Sequence, residues 1–193
     1  MKATIVLLAD DEVENYGRKI LLKAHRVGNV GFEMTRLPFH VSLKQPFVIS
    51  SLEEIEEFFN EFVNKVSPIE LNFEKLVVYP NNAIGGEPSG CLAIQIRKTS
   101  ELDEMQKELF SSLEKRFGPC PAPFDDDYIF HMTVAIGKAP FENYQRAYDV
   151  LCKMNYSRSF RFSKIGLLYY DDDNILPGTY FCYKSVGLKE SRY

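Results

Sequence analysis

The chain has 193 residues, a formal net charge of −4, 45% hydrophobic content and 13% aromatic content. This is enough apolar material for one folded domain or two intimately packed lobes, and too much for a disordered chain. The acidic balance, with a sequence pI near 5.5, argues against an extended duplex-binding footprint but allows a nucleotide or RNA end gripped locally through one phosphate. No apolar run approaches the roughly 20 residues that span a bilayer, so no membrane partner is expected.

In chain order, TIVLLA (4–9) reads as a first strand running directly into acids, without a signal-peptide cleavage pattern. A helix begins near Asp11, with Val13, Tyr16, Ile20 and Ala24 on one face and Gly28 just past its end. A strand carrying His40 follows. A second helix starts at Leu52, where Ser51 and Glu54 make a capping-box signature and Leu52, Ile55, Phe58, Phe59, Phe62 and Val66 form the apolar stripe. IELNFEKLVVY is strand material. CLAIQIR (91–97) alternates as a strand, and a helix bearing Leu102, Met105, Leu109 and Leu113 stops at Gly118-Pro119. A strand with His131, a helix around Phe141 to Met154, and two strands, FRFSKIGLLYY and YFCYKSVGL, complete the chain. The two halves thus repeat one strand–helix–strand–helix order, giving duplicated units of about 1–84 and 85–193 within a single bilobal domain.

Two segments repeat a chemical pattern: Phe39-His40-Val41-Ser42-Leu43 and Phe130-His131-Met132-Thr133-Val134. Side chains alternate along a strand, so His40 and Ser42 share one face, as do His131 and Thr133, while their apolar neighbours anchor the other face. The chain has only three histidines, and two of them sit in this frame. Two titratable bases, each beside a neutral donor, suit an anionic group held between proton-transfer residues. By period two, Lys44 continues the His40/Ser42 face and could reach a phosphate. Arg97 and Lys138 at neighbouring strand ends are weaker candidates.

With these motifs the chain resembles the two-histidine phosphoesterase superfamily, the group of 2′-5′ RNA ligase-like proteins and cyclic phosphodiesterases. Its signature is a pair of H-x-[ST]-x motifs, matched by HVSL (40–43) and HMTV (131–134). The resemblance implies a two-lobed, pseudo-two-fold α+β fold, each lobe an antiparallel sheet with flanking helices around a central cleft. It implies a metal-free site without cofactor, acting on 2′,3′-cyclic phosphate or 2′-5′ phosphodiester groups of RNA or nucleotides. By motif position His40 and His131 would be the catalytic pair, and Ser42 and Thr133 the phosphate-binding hydroxyls. A non-catalytic RNA-end or nucleotide-binding protein on the same fold is the alternative.

The chemistry is compatible with hydrolysis or ligation. One neutral imidazole takes a proton from the attacking oxygen and one imidazolium protonates the departing ribose oxygen, while the hydroxyls donate to non-bridging oxygens. At the reference imidazole pKa, a bell-shaped pH profile with limbs on either side of neutrality is expected. His25, beside Lys23 and Arg26 at a helix end, reads as a cap. The acids at 125–127 and 171–173 read as solvated loops, and the Gly-containing stretch Asn81–Gly90 as a strand connection. Tyr79, Tyr128, Tyr169 and Tyr170 could stack on a base but read first as packing. No H-x₃-H or CxxC spacing supplies metal ligands, and the four dispersed cysteines fit a reducing cytoplasm. The expected partner is an RNA terminus or small cyclic nucleotide, with no obligate protein partner.

Overall fold

Asp10 opens the first helix. Its side chain accepts from the Val13 N–H at 3.3 Å, and Asp11, Glu12 and Glu14 place negative charge on the positive end of the helix dipole. This helix, α1 (Asp11–Gly28), follows strand β1 (Lys2–Leu8) in a computed structural model that describes residues 1–82, 88–122, 125–171 and 179–190. The helix ends on Asn29 in the left-handed conformation, φ 54°, not on Gly28. Gly28 is needed for a different reason. A Cβ there would stand 2.2 Å from the Asn143 carbonyl oxygen, because the last turn of α1 presses on the first turn of helix α4 (Phe141–Leu151).

Among the described residues the other α-helices are α2 (Leu52–Val63) and α3 (Ser100–Phe117), with one 3-10 turn at Glu33–Arg36. Ser51 caps α2 through the Glu54 N–H at 3.2 Å, but the reciprocal half of the capping box is replaced, since the Glu54 carboxylate accepts from Ser50 instead. Thr99 caps α3 through the Leu102 N–H, and Gly118, at φ 75°, terminates it.

All strand pairings are antiparallel: β2 (His40–Ser42), β3 (Phe47–Val48), β4 (Ile69–Asn81), β5 (Ser89–Ile96), β6 (His131–Ile136), β7 (Arg158–Phe162), β8 (Lys164–Tyr170) and β9 (Tyr180–Gly187) join β1 in one curled sheet. The order is β7-β4-β5-β6-β2-β1-β8-β9, with β3 also on β1. This order is symmetric about the β6/β2 seam, so β1 answers to β5, β2 to β6 and β4 to β8. The halves of the sheet mix the halves of the sequence. β4, from the first half, borders β5, while β8 and β9, from the second, extend β1. The fold is α+β with antiparallel half-sheets and flanking helices, as expected.

Three details differ from the reading by periodicity. Helix α2 ends at Val63, so Val66 lies beyond it. FRFSKIGLLYY is two strands broken at Ser163: β7 lies at one end of the sheet beside β4, and β8 beside β1 toward the other. The last helix stops at Leu151 rather than Met154. The helices bury their stripes against one face of the sheet, in a core that includes Val13, Ile20, Phe59, Phe62, Leu109, Tyr144, Val41 and Met132. On the opposite face Val6, Leu8, Leu168, Tyr170 and Tyr180 form a second, smaller cluster. The stretches 83–87 and 172–178, which hold Gly85, Gly86, Asp172 and Asp173, lie outside the described residues.

Candidate active site

The residue before each motif histidine is clamped first. Phe39 is buried, its ring lying against the bare Cα of Gly17, where an added Cβ would be 3.0 Å from the ring. Its N–H donates to Glu14 at 2.7 Å, and its carbonyl accepts from Ala9 at 2.8 Å. In the second motif the Phe130 carbonyl accepts from Ile96 at 2.9 Å, and its ring packs edge-on against Tyr128 at 5.1 Å. These anchors fix which face of each strand the histidine takes.

The two motif strands meet at the seam of the sheet, with Val41 paired to Met132. That antiparallel register sets His40 opposite Thr133 and Ser42 opposite His131, all four on the face away from the helices. The imidazoles are therefore diagonal neighbours, roughly 7–8 Å apart at the backbone, a span into which a phosphoryl group fits.

Both rings are held the same way. His40 Nδ1 lies 2.8 Å from the Pro38 carbonyl, and His131 Nδ1 lies 2.9 Å from the Ile129 carbonyl, in each case two residues upstream. A carbonyl can only accept, so each Nδ1 carries the proton and each Nε2 keeps its lone pair. Burial pushes the His40 pKa down to about 4, against the opposing effect of the Pro38 hydrogen bond, with the charge of nearby His131 adding to the depression. His131 is shifted down by the same cause, desolvation. The free protein thus presents two neutral bases near pH 7.

The face around them is asymmetric. Beside β2 lie Val6 and Leu8, continuing to Leu168 and the stacked rings of Tyr170 and Tyr180. Beside β6, Gln95 is paired with His131 and Ala93 with Thr133, the Tyr79 ring stands 6.3 Å from the His131 ring, and Cys91 Sγ is 3.7 Å from Thr133 Oγ1.

Lys44 does not join this face. The strand ends at Ser42, the chain bends, and period-two alternation no longer applies. The Lys44 side chain is 3% exposed, its ammonium pairs with Asp125 at 2.5 Å, and it sits 4.4 Å from the centre of the Phe110 ring. The expectation of a phosphate contact from Lys44 gives way to a buried ion pair. Asp125 is correspondingly not a solvated loop residue, since it also accepts from Ala122 N–H. The bend itself is fastened by three side chains: the Ser42, Leu43 and Lys44 carbonyls accept from Tyr128, Gln106 and Thr4 respectively. Tyr128 is thus a brace, and Tyr169 bonds Asp171 beside Phe181. Arg97 pairs with Glu74, and His25 holds the Val30 carbonyl while its ring lies 4.3 Å from Phe32.

Sequence comparison settles the family: the model of the 2′-5′ RNA ligase superfamily matches residues 22–174, most of the chain. The chain belongs to the 2′-5′ RNA ligase superfamily. Several solved structures share the fold of this superfamily member. TT0787 of Thermus thermophilus is 14% identical over 100% of both chains, with a TM-score of 0.68. Escherichia coli LigT complexed with 3′-AMP is 10% identical over 98% of both chains, with a TM-score of 0.60. Kluyveromyces marxianus Usb1 is 12% identical over 97% of both chains, with a TM-score of 0.54. No curated protein sequence matches. The superfamily assignment carries a phosphoesterase or RNA ligase-like activity at the level of class. In this superfamily member no helix among the described residues is long and apolar enough to cross a membrane. Nor do three or more His, Cys, Asp or Glu gather into a metal-ligand group among them.

Two features of this face escaped motif reasoning: Cys91 beside Thr133, and Gln95 beside His131. The alternation in CLAIQIR puts Cys91, Ala93 and Gln95 on one face, which is the available signal. Only strand pairing tells which neighbour that face meets.

Proposed function

We propose that this chain is a cytoplasmic, metal-independent phosphoesterase acting on 2′,3′-cyclic phosphate or 2′-5′ phosphodiester groups of RNA or nucleotides. His40 and His131 form its general acid–base pair, the role of each being set by substrate orientation, and Ser42 and Thr133 are its phosphate-binding hydroxyls. The observation that supports this most is the matched pair of imidazoles on one face, each with Nδ1 tied to a carbonyl two residues upstream, which leaves Nε2 as the basic nitrogen. LigT structures carrying 3′-AMP, phosphate and ATP extend the reading to nucleotides.

In hydrolysis, water attacks phosphorus from one side. The neutral imidazole there takes its proton, the opposite P–O(ribose) bond breaks, and the second histidine, protonated, delivers a proton to the departing oxygen. The two imidazoles exchange protonation states in each turnover. A ribose hydroxyl in place of water gives the ligase direction. Since both imidazoles are neutral in the free protein, the acid gains its proton when the anionic substrate arrives, the phosphate charge raising the pKa of the ring facing the leaving oxygen.

The test is a panel of cyclic-phosphate RNA, cyclic mononucleotides and 2′-5′ oligonucleotides, with and without EDTA. Turnover of at least one substrate, unchanged by chelator and lowered about 10²- to 10⁴-fold by His40→Ala or His131→Ala, is expected. Loss with EDTA and recovery with zinc would overturn the metal-free mechanism. Tight binding of an RNA end without turnover would replace catalysis by the binding-protein alternative.

A further inference from the structure

Across the pseudo-two-fold, the positions that support the two motif hydroxyls are filled differently. Ser42 faces Val6 on β1, and Thr133 faces Ala93 on β5. Two residues further along the same face stand Thr4 and Cys91. Thr4 is fully buried and gives its hydroxyl proton to the Lys44 carbonyl, so it supports the backbone bend. Cys91 lies next to a bulge between Leu92 and Ala93 and brings its sulfur to 3.7 Å from Thr133 Oγ1. Among the described residues, no side chain plays that part for the Ser42 hydroxyl.

We propose that Cys91 is a positioning residue. Its S–H donates to Thr133 Oγ1, so the Thr133 proton is left to point at a phosphate oxygen, which makes Thr133 the stronger of the two phosphate-binding hydroxyls. This rests on the reading of the cleft as a phosphate site. A threonine hydroxyl has one proton and room for two incoming ones. With its lone pair taken by the thiol, its own proton turns to the open side, which is the cleft. The opposite polarity, O–H toward sulfur, pairs a good donor with a weak acceptor and leaves the buried S–H without a partner.

Burial holds the thiol protonated, its pKa pushed up to about 11, so it remains a donor throughout the working pH range and is poorly reactive as a nucleophile. The small Ala93 side chain opposite Thr133 leaves the sulfur a clear approach. When an anionic oxygen binds, the chain S–H···O–H···O–P forms, and each link polarises the next.

The proposal can be read without turnover. Inorganic phosphate titrated into the full-length protein should move the S–H stretching band of Cys91 in the Raman spectrum to lower frequency, the band being assigned by its loss in Cys91→Ser. In Thr133→Val the band should not respond. On the best substrate, Cys91→Ala should lower kcat/KM about two- to fivefold, the worth of one weak neutral hydrogen bond. Cys91→Ser, whose hydroxyl can also donate, should recover most of it. A band unmoved by phosphate, wild-type kinetics in Cys91→Ala, or a Cys91→Ser protein no better than Cys91→Ala would each overturn the proposal. A shifting band in a protein that never turns over would leave it standing and overturn the phosphoesterase reading.

Discussion

Replacing His40 with Asn removes the imidazole but retains an amide that can donate to the Pro38 carbonyl, which His40 Nδ1 engages at 2.8 Å. The variant therefore isolates the titration from the hydrogen bond. Burial lowers the His40 pKa from 6.5 to about 4, so the unfolded chain binds this proton more tightly than the folded one. The resulting stability is fully present above pH about 6.5 and is lost as the pH falls toward about 4. At about 1.36 kcal/mol per pH unit, the complete loss is roughly 3 kcal/mol, of which about 2 kcal/mol is gone by about pH 5. Because part of the ring faces the cleft, these figures are ceilings. For a chain of this size, 2 kcal/mol corresponds to about 4–8 °C in Tm. Urea and thermal denaturation at about pH 7.5 and about pH 5, run on both proteins, give the double difference in which the carboxylates and His131 cancel. The wild type should lose up to about 2 kcal/mol more than His40→Asn between these pH values. Equal losses, within about 0.5 kcal/mol, would show that His40 is not buried neutral and would refute the reasoning.

The same depression acts on catalysis. kcat/KM reports the free enzyme, in which both imidazoles lie below the ordinary value, so the bell should peak on the acid side of neutrality, not around pH 7 as the reference pKa suggests. An optimum above about pH 7 would contradict two desolvated histidines. Lys44→Met leaves the Asp125 carboxylate without its cation and should cost about 3 kcal/mol in urea denaturation, while KM for the best substrate stays within about twofold. A large rise in KM at unchanged stability would return Lys44 to the phosphate.

What could be read from the chain was whatever depends on local spacing. The period-two frame around His40 and His131 survives because Phe39 and Phe130 have only one buried face to occupy. The amphipathic stripes of α1, α2 and α3 fall where their apolar spacing puts them, except that Val66 lies beyond the end of α2. What could not be read depends on where strands go. Ser163 separates two runs of similar composition, and nothing local says that one joins β4 and the other β1. Lys44 follows a period that ends two residues earlier, at a bend imposed by Tyr128 from a loop, Gln106 from α3 and Thr4 from β1. Gly28 looks like a helix stop by composition, whereas the stop is Asn29 and the glycine serves a helix crossing. Cys91 carries no motif at all. Its relation to Thr133 exists only through the bulged register of β5 on β6.

The exchange of β4 and β8 between the halves of the sheet has a consequence for synthesis. Strand β1, which flanks the His40 strand, is completed on its other edge by β8, with Lys2 paired to Tyr170. At about 5–20 residues per second, the ribosome makes β8 roughly 10–30 s after β1. During that interval an apolar strand edge next to His40 waits unpaired, a natural place for a chaperone to hold and for a nascent chain to aggregate. A release factor or stall that frees the chain before β8 would yield a polypeptide with both histidine motifs intact and no working cleft. The closure of this candidate site waits for β8, made long after the strand it completes.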